Sequence, residues 1–157
     1  MQAKKFKYAA YLCQSQNCPP DSYIEMECDA YRWIHSTITK NDFLPRNIIQ
    51  NPPQRILDDS DLMCKGYGLS LFDTNGNAIK TYTKNYSKRR AHLRQSFITE
   101  YGDSFCLIKI ESSDGLGGDK NKESGHFTFH EYEDSNLEER IINIFNIFDD
   151  DGKIINN

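Results

Sequence analysis

No apolar run in this 157-residue chain approaches the roughly 18 residues needed to cross a bilayer as a helix. The early segment YAAYLC is short, tyrosine-rich and lacks a small-residue cleavage site. Neither membrane insertion nor secretion is therefore expected, and the cytoplasm is the default location. There is no repeat, heptad run or low-complexity tract, which argues against solenoids and coiled coils. Cysteine is sparse and irregular: Cys13, Cys18, Cys28, Cys64 and Cys106 form an odd set with no C-x-x-C pair. That pattern predicts free thiols in a reducing compartment, with Cys106 a small buried residue inside SFCLIKI, and it predicts no metal site. The Walker, G-x-S-x-G and H-E-x-x-H sequences are missing as well, so no motif announces an enzyme and no cofactor is expected.

The residues that are present describe a folded chain. An apolar share of 38% and an aromatic share of 12% are enough to build a core, so one domain over 1–157 is expected, with 149–157 an acidic tail free to flex. Nineteen Lys and Arg against 23 Asp and Glu leave a net charge of −4. This argues against a dedicated nucleic-acid coat and leaves room for a local basic patch. The richness in Ile, Asn and Lys suggests a bacterial source.

Alternating or apolar segments AYRWIHSTI, CKGYGLSLF, DSFCLIKIE and HFTFHEYE read as strands, and the short KFKYAAYLC as a further one. Thr39 to Asp61 reads as a long connection with short helical turns, and SSDGLGGDKNKES as a flexible loop. After DTNGN, residues Ile79, Tyr82, Tyr86, Leu93 and Phe97 fall on one helical face and predict a single helix. In DSNLEERIINIFNIF, Ser135 and Glu138 stand in capping-box register ahead of a stripe of Leu137, Ile141, Ile144, Phe145 and Phe148, predicting a C-terminal helix. The fold class is α+β: a mixed or antiparallel sheet of about four to five strands with these two helices on one face.

The densest polar cluster is GHFTFHEYED, Gly125 to Asp134. Read as a strand, it sends Phe127 and Phe129 to one face and His126, Thr128, His130 and Tyr132 to the other, with Glu131 and Glu133 following the phenylalanines toward solvent. The two imidazoles then lie about 13 Å apart, too far to share one ion. His126, His130, Glu131 and Glu133 are the candidates for proton transfer. Arg32 on an early strand, Ser70 on a middle one and Glu131-Tyr132-Glu133 on a late one stand in an order similar to the Arg, Ser, Glu-x-Glu layout of NAD-dependent ADP-ribosyltransferases, although GLSLF differs from that family's Ser-Thr-Ser. The resemblance implies NAD binding by Arg32 and catalysis by Glu133.

A second constellation is basic. Lys80, Lys84, Lys88, Arg89, Arg90 and Arg94 lie in a stretch with no acid between Thr74 and Thr99. The lysines repeat every four residues opposite the apolar stripe, while Arg89 and Arg90 flank it. Such a face suits an acidic protein partner or phosphates. From Glu131 to Asp151 eight acids accompany one arginine, so part of the basic face could meet the acidic end. FDDDGKI does not place a carboxylate where a calcium loop starts, and a turn at Asp151-Gly152 is expected instead. The sequence thus reads as a small binding or regulatory module acting on another protein through the basic helix and the polar strand face. The alternatives are an enzyme acting on a nucleotide such as NAD, and nucleic-acid binding through Lys80–Arg94.

Overall fold

Six strands, β1 (Cys28–Ile34), β2 (Leu69–Phe72), β3 (Ser104–Ile110), β4 (Gly115–Gly117), β5 (His126–Glu131) and β6 (Ile141–Asn146), form one sheet. Their order is β4-β5-β2-β1-β3-β6, with every neighbouring pair antiparallel. This is a computed structural model describing residues 3–14 and 17–155. Among the described residues six α-helices accompany the sheet: α1 (Ala9–Leu12), α2 (Arg46–Ile49), α3 (Gln54–Leu57), α4 (Ser60–Gly66), α5 (Asn75–Lys88) and α6 (Arg94–Tyr101). The α+β class follows the sequence reading, which left the sheet mixed or antiparallel; it is antiparallel, with six strands in place of four or five and six helices in place of two among the described residues. No helix among the described residues is long and apolar enough to cross a membrane.

Strand register divides the side chains into two layers. Leu69 stands opposite Phe129 and Leu71 opposite Phe127, so both phenylalanines join Ala30, Ile34, Cys106, Ile108 and Ile110 in one apolar core. Loop residues Ile38 and Phe43 and the buried Leu137 close that face. On the other face Trp33 stacks on Phe72, with ring centroids 5.1 Å apart, and meets Tyr82 of α5 edge-on at 5.3 Å. The Trp33 indole donates to the Ala78 carbonyl at 3.0 Å, which fixes α5 across β1 and β2. Helix α5 starts where Thr74 accepts from the Asn77 amide.

The basic helix is shorter than its stripe implied. It ends at Lys88, and after a 3₁₀ turn (Ala91–Leu93) the chain continues as α6. A continuous helix would separate Tyr82 from Phe97 by about 22 Å of rise. The break instead brings their rings to 5.1 Å, and burying Phe97 beside Tyr82, Tyr86 and Tyr101 outweighs the backbone bonds given up.

The C-terminal segment corrects the sequence reading outright. Leu137–Arg140 is a 3₁₀ turn and Ile141–Asn146 is a strand on the edge of the sheet. Four β-branched isoleucines dominate Ile141 to Ile147, and Phe145 stacks on Phe105 at 5.0 Å, an alternating cross-strand fit that a helix cannot make. The Ser135 hydroxyl donates to Asp114 at 3.3 Å rather than capping a helix. Three smaller readings also change. Cys64 to Gly66 closes α4, leaving only Leu69–Phe72 extended. KFKYAAYLC holds one bridge, Phe6 to Tyr132, and the helix α1. Gly115–Gly117 of the glycine-rich loop pairs with β5.

The acidic tail is held over its described length. Ile155 donates to the Ile147 carbonyl at 2.7 Å, and Asp149 accepts from the amides of Asp151 and Lys153. Gly152 turns the chain there with φ +76°. Residues 156–157 lie outside the described residues.

Candidate functional site

β5 is extended as expected, but its polar face is not an outer face. Thr128 is 7% exposed and His130 1%, because α4, the loop carrying Cys18 and the Tyr23 ring lie against that end. Gly68 makes this approach possible. A Cβ there would clash with Thr128 Cγ2 and stand 3.2 Å from His130 Cε1. Toward the start of β5 the cover stops, and the same face becomes one wall of a cavity of about 500 Å³.

The cavity has an apolar floor and a polar rim. Trp33 and Phe72 supply stacked rings, and His126 stands edge-on to Phe72 with centroids 5.5 Å apart. Ser70 and Thr128, paired across β2 and β5, place two hydroxyls beside them. Thr81 and Asn85 reach in from α5, Lys65 and Gly66 from α4, and Arg46 from α2. Arg46 is ion-paired with Glu100, which also lines the wall. Lys65 has no acidic partner among the described residues. Burial pushes the His126 pKa below the usual histidine value, and the Lys65 charge pushes it the same way, so the ring is neutral near pH 7.

Arg32 joins the cavity through the seam between β1 and β2. The two strands share a single register pair, Tyr31 with Phe72. Arg32 Nη1 donates to the Ser70 carbonyl at 2.9 Å and its Nε to the Asp42 carbonyl at 2.6 Å, satisfying backbone acceptors where strand pairing fails. Asp42 is itself buried and accepts from the His35 amide, the His35 ring and the Thr39 amide. His35 Nδ1 faces Asp42 at 2.7 Å and Nε2 faces the Thr99 carbonyl at 2.9 Å, two acceptors that together favour the doubly protonated ring.

Of the residues singled out in the sequence, Arg32, Ser70 and His126 therefore converge on one cavity, and His130, Glu131 and Glu133 do not line it. Glu131 is 4% exposed, against the expectation that its face reaches solvent there. Lys7 donates to its Oε2 at 2.7 Å, while burial holds its pKa above the usual glutamate value. Glu133 is exposed, and its amide donates to the Lys5 carbonyl. Lys80, Lys84, Lys88, Arg89 and Arg90 are exposed and stand outside the cavity, with Arg89 over the Phe97 ring at 5.5 Å. Arg94 is half-buried over Tyr86 at 5.3 Å.

Two of the cysteines also depart from the free-thiol reading. Cys18 and Cys64, 46 residues apart, form a disulfide, and Cys13, Cys28 and Cys106 are free. Burial drives the Cys106 thiol up to about 12, which leaves it unreactive. Beside the disulfide lies His130, whose Nε2 is 3.9 Å from Cys64 Sγ and whose Nδ1 has no partner. Burial lowers its pKa to about 4, so it is neutral. Lys65, Arg46, Thr81 and Asn85 were not legible as site residues: Arg46 and Lys65 sit on two short helices, and Thr81 and Asn85, four apart on one face of α5, are neutral side chains between the lysine and aromatic stripes that dominate that helix. The glycines of KGYG are a local signal of close packing, since Gly68 lets the chain after α4 approach β5 and Gly66 lets α4 approach Asn47 of α2. Comparisons with family models, curated proteins and solved structures found no match for this chain.

Proposed function

We propose that the chain is a small binding or regulatory module whose cavity takes an anionic, ring-bearing ligand of the nucleotide class. The observation that carries this reading is one cavity combining the Trp33–Phe72 stack with Lys65, a cation without an acidic partner among the described residues. A planar ring gains dispersion and apolar burial on the aromatic floor. A phosphate or carboxylate at the other end answers Lys65, and the Ser70 and Thr128 hydroxyls offer neutral hydrogen bonds. The cavity volume suits a ligand of that size, since small-molecule sites span roughly 300–1,000 Å³. The exposed lysines Lys80, Lys84 and Lys88 then serve a separate acidic surface, and we assign that surface to a protein partner ahead of nucleic acid.

Trp33 is the sole tryptophan and lines the cavity, so its fluorescence reports occupancy directly. Titration with AMP, ADP and NAD is expected to quench it, with adenosine weaker than AMP. Lys65→Glu is expected to weaken AMP binding by roughly tenfold to a hundredfold, the loss of one charge-assisted contact plus a repulsion. Absence of quenching by all four ligands contradicts the reading. A catalytic variant of it, in which the nucleotide is NAD and is cleaved, draws on Arg32, Ser70 and His126 sharing the cavity. It requires nicotinamide release by the purified protein that His126→Ala abolishes, and without Glu133 at the cavity it stands second.

A further inference from the structure

The disulfide and His130 form a second site, separate from the cavity, because none of Cys18, Cys64 and His130 lines it. We infer that Cys18, Cys64 and His130 hold a zinc(II) ion when the two cysteines are reduced, so that the disulfide and the metal are alternative occupants of one site. The three ligand atoms already lie within 4.8 Å of one another. They come from three parts of the chain: the loop ahead of β1, helix α4 and strand β5. Cys64 and His130 are buried and Cys18 half-buried.

The distances suit a tetrahedral ion. Bonds of about 2.3 Å to sulfur and about 2.0 Å to nitrogen place two sulfurs about 3.8 Å apart, and sulfur and nitrogen about 3.5 Å apart. His130 Nε2 stands 3.9 Å from Cys64 Sγ, within a few tenths of an ångström of that position. Once reduced, the sulfurs are free to move to theirs. The imidazole itself is the independent observation. It is 1% exposed, its Nδ1 has no partner and its Nε2 meets only a sulfur at 3.9 Å. The nitrogen that faces the cysteine pair, Nε2, thus lacks a partner at ordinary hydrogen-bond length, and a metal ion is the partner that such a pair would recruit for it. No fourth Cys, His, Asp or Glu joins the cluster among the described residues, so water completes the tetrahedron.

The exchange balances with a phosphine as reductant. Its electron pair cleaves the S–S bond, water supplies the oxygen of the phosphine oxide and two protons, and two thiols result. Zinc then displaces one proton from each thiol and binds both thiolates and the neutral imidazole. The spacings of 46 residues between the cysteines and 66 between Cys64 and His130 explain why no sequence motif showed the site.

Cobalt(II) tests this on the whole chain, because thiolate coordination gives a near-ultraviolet charge-transfer band and tetrahedral geometry gives intense visible bands. Phosphine-reduced protein is expected to bind one cobalt with both features, and zinc to bleach them. Oxidised protein is expected to show neither. Cys64→Ser is expected to remove the thiolate band, while Cys13→Ser and Cys28→Ser keep it. In case a variant fails to fold, the wild-type protein is also alkylated with and without zinc. Protection of Cys18 and Cys64, but not of the exposed Cys13, supports the site. No thiolate band in the reduced wild type, equal cobalt binding by the oxidised protein, or alkylation indifferent to zinc would each overturn it.

Discussion

Removing the Cys18–Cys64 cross-link should lower the melting temperature by an amount that the chain-entropy argument sets in advance. The bridge closes a segment with a sequence separation of 46. For a loop of that size the denatured chain regains freedom corresponding to about 4 kcal/mol at 25 °C when the link is lost. A chain of 157 residues unfolds with an entropy of roughly 330 cal/mol/K at the midpoint. The two figures together give a fall of roughly 12 °C for Cys18→Ala/Cys64→Ala relative to oxidised wild type. Alanine is preferred to serine because Cys64 is buried and a hydroxyl there would lose its water. The assay is a calorimetric melt in the presence of a chelator, so that no metal replaces the link. A parallel thiol titration of the unfolded, unreduced protein should count three thiols, those of Cys13, Cys28 and Cys106. A shift within about 2 °C, or a count of five thiols, refutes the reasoning.

Other expectations follow from the same contacts. Burial disfavours the His35 cation, but the Asp42 carboxylate and the Thr99 carbonyl outweigh it and raise its pKa above the usual value. The native state therefore holds that proton more tightly than the unfolded chain. The resulting stability is full below the ordinary histidine pKa of about 6.5 and lost as pH rises through the raised native pKa. Urea unfolding of wild type and His35→Gln should differ more at about pH 5.5 than in alkaline buffer, and a constant difference counts against the cation. Tyr82→Phe removes the 2.6 Å donation to the Gly102 carbonyl and should cost about 1–2 kcal/mol in chemical denaturation. Phe97→Ala should cost about 3–5 kcal/mol, whereas a side chain exposed on a continuous helix would cost almost nothing. Gly68→Ala should destabilise the fold by roughly 1–3 kcal/mol, since Thr128 and the buried His130 both stand where its methyl would go.

The strands with clear alternation were legible before the structure. The placing of Phe127 and Phe129 away from His126, Thr128 and His130 follows from period two alone, and the register with Leu69 and Leu71 agrees. What the pattern could not supply was the layer above. His130 looked solvated because nothing in HFTFHEYE indicates that α4 and the loop with Cys18, more than 60 positions earlier in the chain, pack over it. The run IINIFNIF satisfies a helical stripe and a strand equally well, and the open edge of β3 decided between them. The stripe through Phe97 was real but was delivered by a bend, because tertiary burial of one aromatic ring exceeded local helix propensity. The cavity combines Arg32, Ser70 and His126 with Lys65, Arg46, Thr81 and Asn85, and only the first three were singled out, because the pattern of α5 draws attention to its lysines and rings and Lys65 stood in a segment read as a strand.

The most direct test of the binding account is an amide nuclear magnetic resonance titration of the labelled protein with AMP. Binding in the cavity predicts that the amides of Lys65, Gly68, Ser70, Asn85, His126 and Thr128 shift together and saturate, while those of Lys80, Lys84 and Lys88 stay in place. Shifts confined to those three lysines, with the cavity amides unmoved, would contradict it.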